Sequence, residues 1–235
     1  MLLGFLRELF SGNLDTVYLA AFLPIVAGVL LSISAHECAH GLAAYWQGDT
    51  YAKNTGRLTL NPFKHLDPLG TALLLLVGFG WAKPVPVVPS NFKHGKASML
   101  CVAFAGVVCN IFIAFLLMNL LYFFIFICKL NLTVFWAKVL YVAFYNIIFV
   151  NISLAVFNLI PIPPLDGYRV VKAVFANIRN QNFFYTMERY STYIGLAVLL
   201  IISQTGLLGI CSNGIFSLLS SLCSLIYGAY GGTAM

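Results

Sequence analysis

Two histidines and a glutamate stand together in the stretch His36-Glu37-Cys38-Ala39-His40. Positions i and i+4 share one face of a helix, so His36 and His40 can offer two imidazoles to one Zn²⁺ ion. Glu37 would lie beside the open coordination position, where a carboxylate can take a proton from a water molecule. This spacing predicts a hydrolytic zinc site with Glu37 as the general base. The alternative is a polar cluster at the end of a helix.

A catalytic zinc ion typically takes three protein ligands, so a third ligand is needed. Asp166 is the best candidate among the seven acidic residues, because it follows three prolines that must end the preceding apolar helix. Unwound backbone at membrane depth is tolerated only where it is buried in protein or lines a cavity, and a buried carboxylate there is a functional candidate. We therefore predict Asp166 as the third ligand. A helix cap or an ion pair with Arg169 is the alternative.

The composition is that of a membrane protein. Hydrophobic residues make up 61% of the chain and charged residues only 9%, and the mean hydropathy is +0.92. A soluble domain needs far fewer apolar residues than this. The net charge of +6 comes from basic residues in short loops, which membrane orientation explains better than nucleic-acid binding does. We expect a lipid bilayer as the surrounding medium and no nucleic-acid partner.

The apolar runs predict an all-α polytopic fold with five to six transmembrane or re-entrant helices. Runs long enough or nearly long enough to cross a bilayer occupy 17–46, 98–128, 134–160, 188–204 and 206–227. The shorter run 69–80 is expected to be re-entrant or interfacial, and the first 15 residues a short interfacial helix and not a cleaved signal peptide. Prolines in 83–89 favour an extended segment, with a possible hairpin to 56–62.

This arrangement predicts one integral-membrane domain over 1–235, with a core at 17–187 and a C-terminal helical hairpin at 188–228. Ten of the 13 Lys and Arg residues fall on one side of the predicted spans. By the positive-inside rule, that side is cytoplasmic and the N-terminus lies outside. His40 is then about 13 Å of helix away from Asp49, the first acidic residue after its span. The metal site is predicted within the bilayer, toward the cytoplasmic side.

These motifs resemble those of the site-2 proteases, a family of intramembrane zinc metalloproteases. The likeness rests on HECAH at 36–40 and NLIPIPPLDG at 158–167, and the segments 67–70 and 80–87 also resemble the compact members without a PDZ insert. The resemblance implies one catalytic Zn²⁺ held by His36, His40 and Asp166, with Glu37 as the base. It implies an endopeptidase that cleaves the transmembrane segments of membrane proteins, in a bacterial plasma membrane.

The resemblance also implies that Asn158 binds the substrate or the oxyanion, and that the extended segment near 83–89 receives an unwound substrate as an added strand. Asn110 ends a small-residue motif on the following helix and is the second candidate for substrate binding, with an interhelical hydrogen bond as its alternative. His65 and His94 lie among loop lysines and are expected to be solvated. A metal transporter or channel, and a non-proteolytic membrane adaptor, are the competing functions.

Overall fold

The structure is a computed structural model that describes residues 15–68, 70–72 and 83–231, apart from the side chains of 178, 203 and 229–231. The predicted interfacial helix at the N-terminus and nearly all of the 69–80 run lie outside these residues. Within them the chain is all-α and polytopic, as predicted. The longer helices are α1 (Thr16–Trp46), α2 (Lys96–Tyr122), α3 (Phe135–Asn158), α4 (Asp166–Phe175), α5 (Gln181–Arg189), α6 (Ser191–Thr205) and α7 (Leu207–Gly231), and a single helical turn, Tyr51–Asn54, follows α1.

Four of these helices are long and apolar enough to cross a membrane, namely α1, α2 with its continuation to Ile127, α3 and α7. The α2 continuation is a short π-helical turn, Phe123–Ile127. The α6 helix is apolar but has only 15 residues, or about 22 Å at 1.5 Å per residue, which is shorter than the hydrocarbon core. Gly206 lies between α6 and α7 with φ +66°, a left-handed conformation that ends the first helix and that glycine adopts without strain.

The helices α1, α2 and α3 pack against one another and form the centre of the molecule. Near one end, Ala21 and Ile25 of α1 meet Val139 and Ala143 of α3. Nearer the other end, Ala43 and Ala44 of α1 meet Val102 of α2. Alanine at these contacts lets the helix backbones approach closely, which is how membrane helices gain van der Waals contact in the absence of a hydrophobic driving force.

Polar contacts tie α7 to this centre. Ser153 of α3 donates to Ser212 of α7, with 3.1 Å between the hydroxyl oxygens. Tyr122 of α2 and Ser220 of α7 share a hydrogen bond of 2.7 Å. The α7 helix is therefore packed on α2 and α3.

The predicted hairpin between 56–62 and 83–89 is wrong for the residues that the structure describes, because neither segment forms a strand. Pro62–Lys64 and Pro89–Asn91 are single 3-10 turns instead. The two regions are nevertheless joined, since Lys83 N–H donates to the His65 carbonyl at 2.7 Å. Pro84, Pro86 and Pro89 have no N–H donor, which limits the ladder that a hairpin would need.

Candidate metal centre

Three ligand atoms from two distant parts of the chain meet at one point. The Nε2 atoms of His36 and His40 lie 3.1 Å apart, and Asp166 Oδ2 lies 3.1 Å from the first and 3.0 Å from the second. All three side chains are buried. Within the described residues, this is the one group of three or more His, Cys, Asp or Glu side chains able to hold a metal ion.

The triangle has the dimensions of one face of a tetrahedral zinc site. With bonds of about 2.0 Å, neighbouring ligand atoms around Zn²⁺ lie roughly 3.3 Å apart, close to the 3.0–3.1 Å observed. Two imidazoles and one carboxylate are also a donor set that catalytic zinc sites use. The residues present therefore fit a zinc ion with one open coordination position.

Gly106 of α2 leaves room for the ion. A Cβ atom on this residue would lie 2.6 Å from the Nε2 atoms of both His36 and His40, and 2.5 Å from His36 Cε1. No side chain fits that close to the ligand nitrogens without displacing them. Glycine at this position keeps the α2 backbone against the metal ligands without filling the space beside them.

His40 and Asp166 are positioned by contacts outside the triangle. His40 Nδ1–H donates to the Val102 carbonyl of α2 at 2.7 Å, which leaves its Nε2 as the metal-binding atom. The other carboxylate oxygen of Asp166 lies 3.4 Å from an Arg169 guanidinium nitrogen. The ion pair weighed as an alternative from the sequence is thus present together with the histidine contacts, each using a different oxygen of Asp166.

Glu37 is held in place by the segment that crosses beside the site. Val85 N–H donates to Glu37 Oε2 at 2.9 Å, and the Val85 side chain is buried. Glu37 therefore follows the candidate ligand His36 in the sequence, and its carboxylate is held by the backbone of the segment 83–88. A carboxylate with one oxygen anchored keeps the other oxygen available to take a proton.

Two charged residues fasten the ends of the segment 83–88. Arg57 donates to the Lys83 and Pro84 carbonyls at 2.7 and 3.1 Å, and also bonds the Lys64 carbonyl. Asp49 receives Val88 N–H at 2.7 Å, and the Asn91 side chain bonds the same carboxylate at 2.9 Å. Arg57 and Asp49 therefore fix the segment on either side of Val85.

Asp49 has a positioning role that the sequence does not indicate. In the sequence it is only the first acidic residue after the span 17–46, whereas in the structure its side chain is fully buried. Burial acts to raise the pKa of Asp49, but hydrogen bonds from the Asn91 side chain and from Val88 and Tyr51 N–H outweigh it and lower that pKa below its ordinary value. The carboxylate is thereby kept ionised as the anchor of the segment. The local signal for this role is weak, since the partners are about 40 residues away.

The two predicted substrate-binding residues, Asn158 and Asn110, lie in different surroundings. Asn158 is the last residue of α3 and bonds the Leu154 carbonyl within its own helix. Asn110 lies buried against His36. The substrate-binding role of both asparagines stays a prediction.

The expectation of a solvated His65 is wrong, because this side chain is fully buried and Nε2–H donates to the Thr59 carbonyl at 2.7 Å. His94 is exposed, as expected.

The site lies well inside the helix ends. His40 precedes the end of α1 at Trp46 by six residues, or about 9 Å of helix, and His36 precedes it by about 15 Å. Gly106 lies about 15 Å from the start of α2 at Lys96. The two neighbouring helices thus place the ligand triangle at one depth, below the surface formed by their ends.

Comparison with known proteins agrees with this geometry. The family model described as "Peptidase family M50" matches residues 124–202, a range that contains Asp166 but not the HECAH motif. The family match and the histidine motif are therefore separate pieces of evidence, and the structure brings their residues together. No solved structure was found that matches the chain.

The curated relatives carry names of the same kind. "Putative zinc metalloprotease YwhC" of Bacillus subtilis is 42% identical over 151 residues, which cover 63% of this chain and 67% of the relative. "Putative zinc metalloprotease Rip2" of Mycolicibacterium smegmatis is 31% identical over 156 residues, covering 64% and 57%. Rip2 of Mycobacterium tuberculosis H37Rv is 32% identical over 162 residues, covering 66% and 58%. The chain thus spans less than two thirds of the Rip2 proteins.

Three findings support the same family: the identity to YwhC, the family match around Asp166 and the membrane-spanning helices. The implied cofactor, Zn²⁺, fits the His-His-Asp group. The chain belongs to peptidase family M50, the site-2 protease family of membrane-embedded zinc metalloproteases.

Proposed function

We propose that this chain hydrolyses peptide bonds in or beside the transmembrane segments of membrane proteins, with His36, His40 and Asp166 as the zinc ligands and Glu37 as the general base. The observation that carries the proposal is the buried triangle of three ligand atoms, each pair 3.0–3.1 Å apart. It lies among helices able to cross a membrane, which limits the accessible substrates to chains that enter the same layer.

The side chains divide the work of hydrolysis. When bound, Zn²⁺ supplies a Lewis acid for the scissile carbonyl and lowers the pKa of water. Glu37 takes the proton of the attacking water and later delivers it to the leaving amine. The Val85 N–H fixes one oxygen of Glu37 during both transfers. The Val102 carbonyl holds the His40 ring in the tautomer that leaves Nε2 free of a proton.

The segment 83–88 supports substrate binding by strand addition. Arg57 bonds the Lys83 and Pro84 carbonyls, Asp49 accepts Val88 N–H and Glu37 accepts Val85 N–H. In extended chain, successive residues direct their peptide groups to opposite edges. Because Pro84 and Pro86 have no N–H, an added strand would pair through the odd-numbered residues beside Glu37, which already holds Val85 N–H. A transmembrane segment must unwind before it can pair there, so we expect cleavage near helix-breaking residues.

The proposed activity is tested with the purified full chain and a single-span model substrate in lipid vesicles. We expect cleavage within or beside the apolar segment, loss of cleavage with a zinc chelator and recovery when zinc is restored, all measured by mass spectrometry of the fragments. Substrates with Gly or Pro in the span should be cut faster than polyleucine spans. Zinc uptake by the vesicles without any cleavage would overturn the proposal in favour of transport.

We further propose that residues 1–235 form one membrane domain, with the core 17–187 and a hairpin at 188–228, in a bacterial plasma membrane. The Ser153–Ser212 and Tyr122–Ser220 contacts between core and hairpin support a single unit. The bacterial sources of the relatives support the membrane type. The substrate class follows from the activity, and it is again a transmembrane segment.

The proposed orientation places the metal site toward the cytoplasm and the N-terminus outside. It is supported by contacts that gather the basic loops at one end, since Lys93 N–H donates to the Gln47 carbonyl and the Lys96 side chain donates to the Ala176 carbonyl. In intact spheroplasts, we expect a membrane-impermeant maleimide to label a variant with Cys128 as its one cysteine, because Cys128 is exposed at the opposite end. A variant whose one cysteine is Lys93→Cys should stay unlabelled. The reverse pattern would contradict this orientation.

A further inference from the structure

Asn110 lies next to His36, the candidate ligand whose Nδ1 faces an amide and not a backbone carbonyl. Resting on the proposed zinc site, we propose that Asn110 is a positioning residue that holds His36 with its Nε2 lone pair directed at the metal. The Asn110 side chain is fully buried on α2, and its Nδ2 lies 3.1 Å from His36 Nδ1. Its role would then be to set the protonation pattern of a ligand instead of contacting substrate.

The two histidines differ in how their outer nitrogen is bound. Zinc binds neutral imidazole, so each Nε2 in the triangle must be free of a proton and each Nδ1 must carry one. For His40 this is fixed, because Val102 offers a carbonyl, which can only accept. For His36 the partner is an amide, which can donate or accept. The tautomer of His36 therefore depends on which end of the Asn110 amide faces it.

The Asn110 amide has an unused acceptor. Its Oδ1 is buried and has no hydrogen-bond partner among the residues that the structure describes, while Nδ2 faces His36. In that orientation His36 Nδ1 accepts, and the ring proton lies on Nε2, where it donates to Asp166 Oδ2 at 3.1 Å. Rotating the amide by about 180° brings Oδ1 to His36, Nδ1–H donates to it, and Nε2 becomes free to bind zinc. One side chain thus serves the ring both with and without the metal.

Asn151 of α3 offers a matched comparison. Like Asn110, it is fully buried and belongs to a membrane-spanning helix that packs on α1, and within the described part of the chain its Oδ1 has no partner. Its Nδ2 bonds the Ser32 hydroxyl at 2.8 Å and the Ile147 carbonyl. An asparagine that only joins helices should behave like Asn151. An asparagine that sets a ligand tautomer should not.

The test uses the purified full chain with Asn110→Leu, Asn110→Asp and Asn151→Leu. Zinc affinity is measured by chelator competition, and the geometry of the site by the absorption bands of Co²⁺ bound in place of zinc. We expect Asn110→Leu to weaken zinc binding about 10–100-fold and to change the Co²⁺ bands, because His36 Nδ1 loses its partner. Asn151→Leu should keep the wild-type affinity and bands. Equal losses in the two leucine variants, or no loss in Asn110→Leu, would overturn the inference.

Asn110→Asp keeps the inference testable if the leucine variant does not fold. A carboxylate accepts from His36 Nδ1–H as the amide oxygen does, so this variant should bind zinc within a few-fold of wild type. Weak zinc binding by Asn110→Asp would contradict the role. His36→Ala separates the two hypotheses: zinc retained by His36→Ala refutes the zinc site itself, whereas zinc lost there but kept in Asn110→Leu refutes only the positioning role.

Discussion

Replacing Glu37 with glutamine is expected to reduce cleavage of a transmembrane substrate by a factor of about 10²–10⁴ while zinc remains bound. The amide oxygen of glutamine can still accept Val85 N–H, as Glu37 Oε2 does at 2.9 Å, so the segment 83–88 keeps its position. The amide cannot take the proton of the attacking water. The measurement is the single-turnover cleavage rate, together with the zinc content of the same preparation.

Two further variants make the Glu37 result specific. Glu37→Ala removes both the base and the acceptor for Val85 N–H, so its cleavage should be at least as slow as that of Glu37→Gln. Glu188→Gln is the matched control, because Glu188 pairs with Lys172 on the short helices away from the triangle. It should cleave at nearly the wild-type rate. Undiminished cleavage by zinc-loaded Glu37→Gln would remove Glu37 from the role of base.

Much of the fold could be predicted because the apolar runs and their interruptions coincide with helix ends. The run 17–46 became Thr16–Trp46, and the run 134–160 became Phe135–Asn158, ended by the following prolines. In a bilayer, backbone polar groups must be satisfied within a helix, so an apolar run of sufficient length allows few other structures. The segments 56–62 and 83–89 are not bound by this rule, which is why the predicted hairpin failed.

The candidate site was predictable to the extent that its residues are chemically unusual where they stand. His36, His40 and Asp166 are costly in a membrane unless they are paired, and this cost marks them in the sequence. Asp49 and His65 carry no such mark, because a loop is where charged and polar side chains are expected. Their burial depends on contacts with Val88 and Thr59 that only the folded chain creates.

Asn110 shows a further limit of sequence reasoning. The sequence indicates a polar residue on an apolar helix, for which an interhelical hydrogen bond and a place in the active site were both reasonable expectations. The structure shows that its partner is His36 of α1, a contact between helices beside the candidate ligands, whereas substrate binding by Asn110 stays a prediction. Which end of an amide faces a histidine, however, depends on the proton and metal that the ring carries, and the sequence contains no information on either.

Replacing Gly106 with alanine is expected to abolish zinc binding and to lower cleavage to the level of the chelated protein. The added methyl carbon would lie 2.6 Å from the Nε2 atoms of His36 and His40, well inside van der Waals contact. Either α2 must move away from α1 or the imidazoles must leave the triangle, and both changes separate the ligands. Zinc content after dialysis against a weak chelator measures the loss directly.

Gly209→Ala is the control for the Gly106 substitution, since it makes the same chemical change in a membrane-spanning helix. A Cβ at Gly209 meets no atom of another described residue within 4 Å, so this variant should keep its zinc and its activity. Folding of both variants can be compared by their elution as monodisperse species in detergent. If folded Gly106→Ala retained zinc at the wild-type level, the ion could not lie between the two Nε2 atoms and α2. The glycine would then not be needed for zinc binding, and the assignment of the triangle as the zinc site would be wrong.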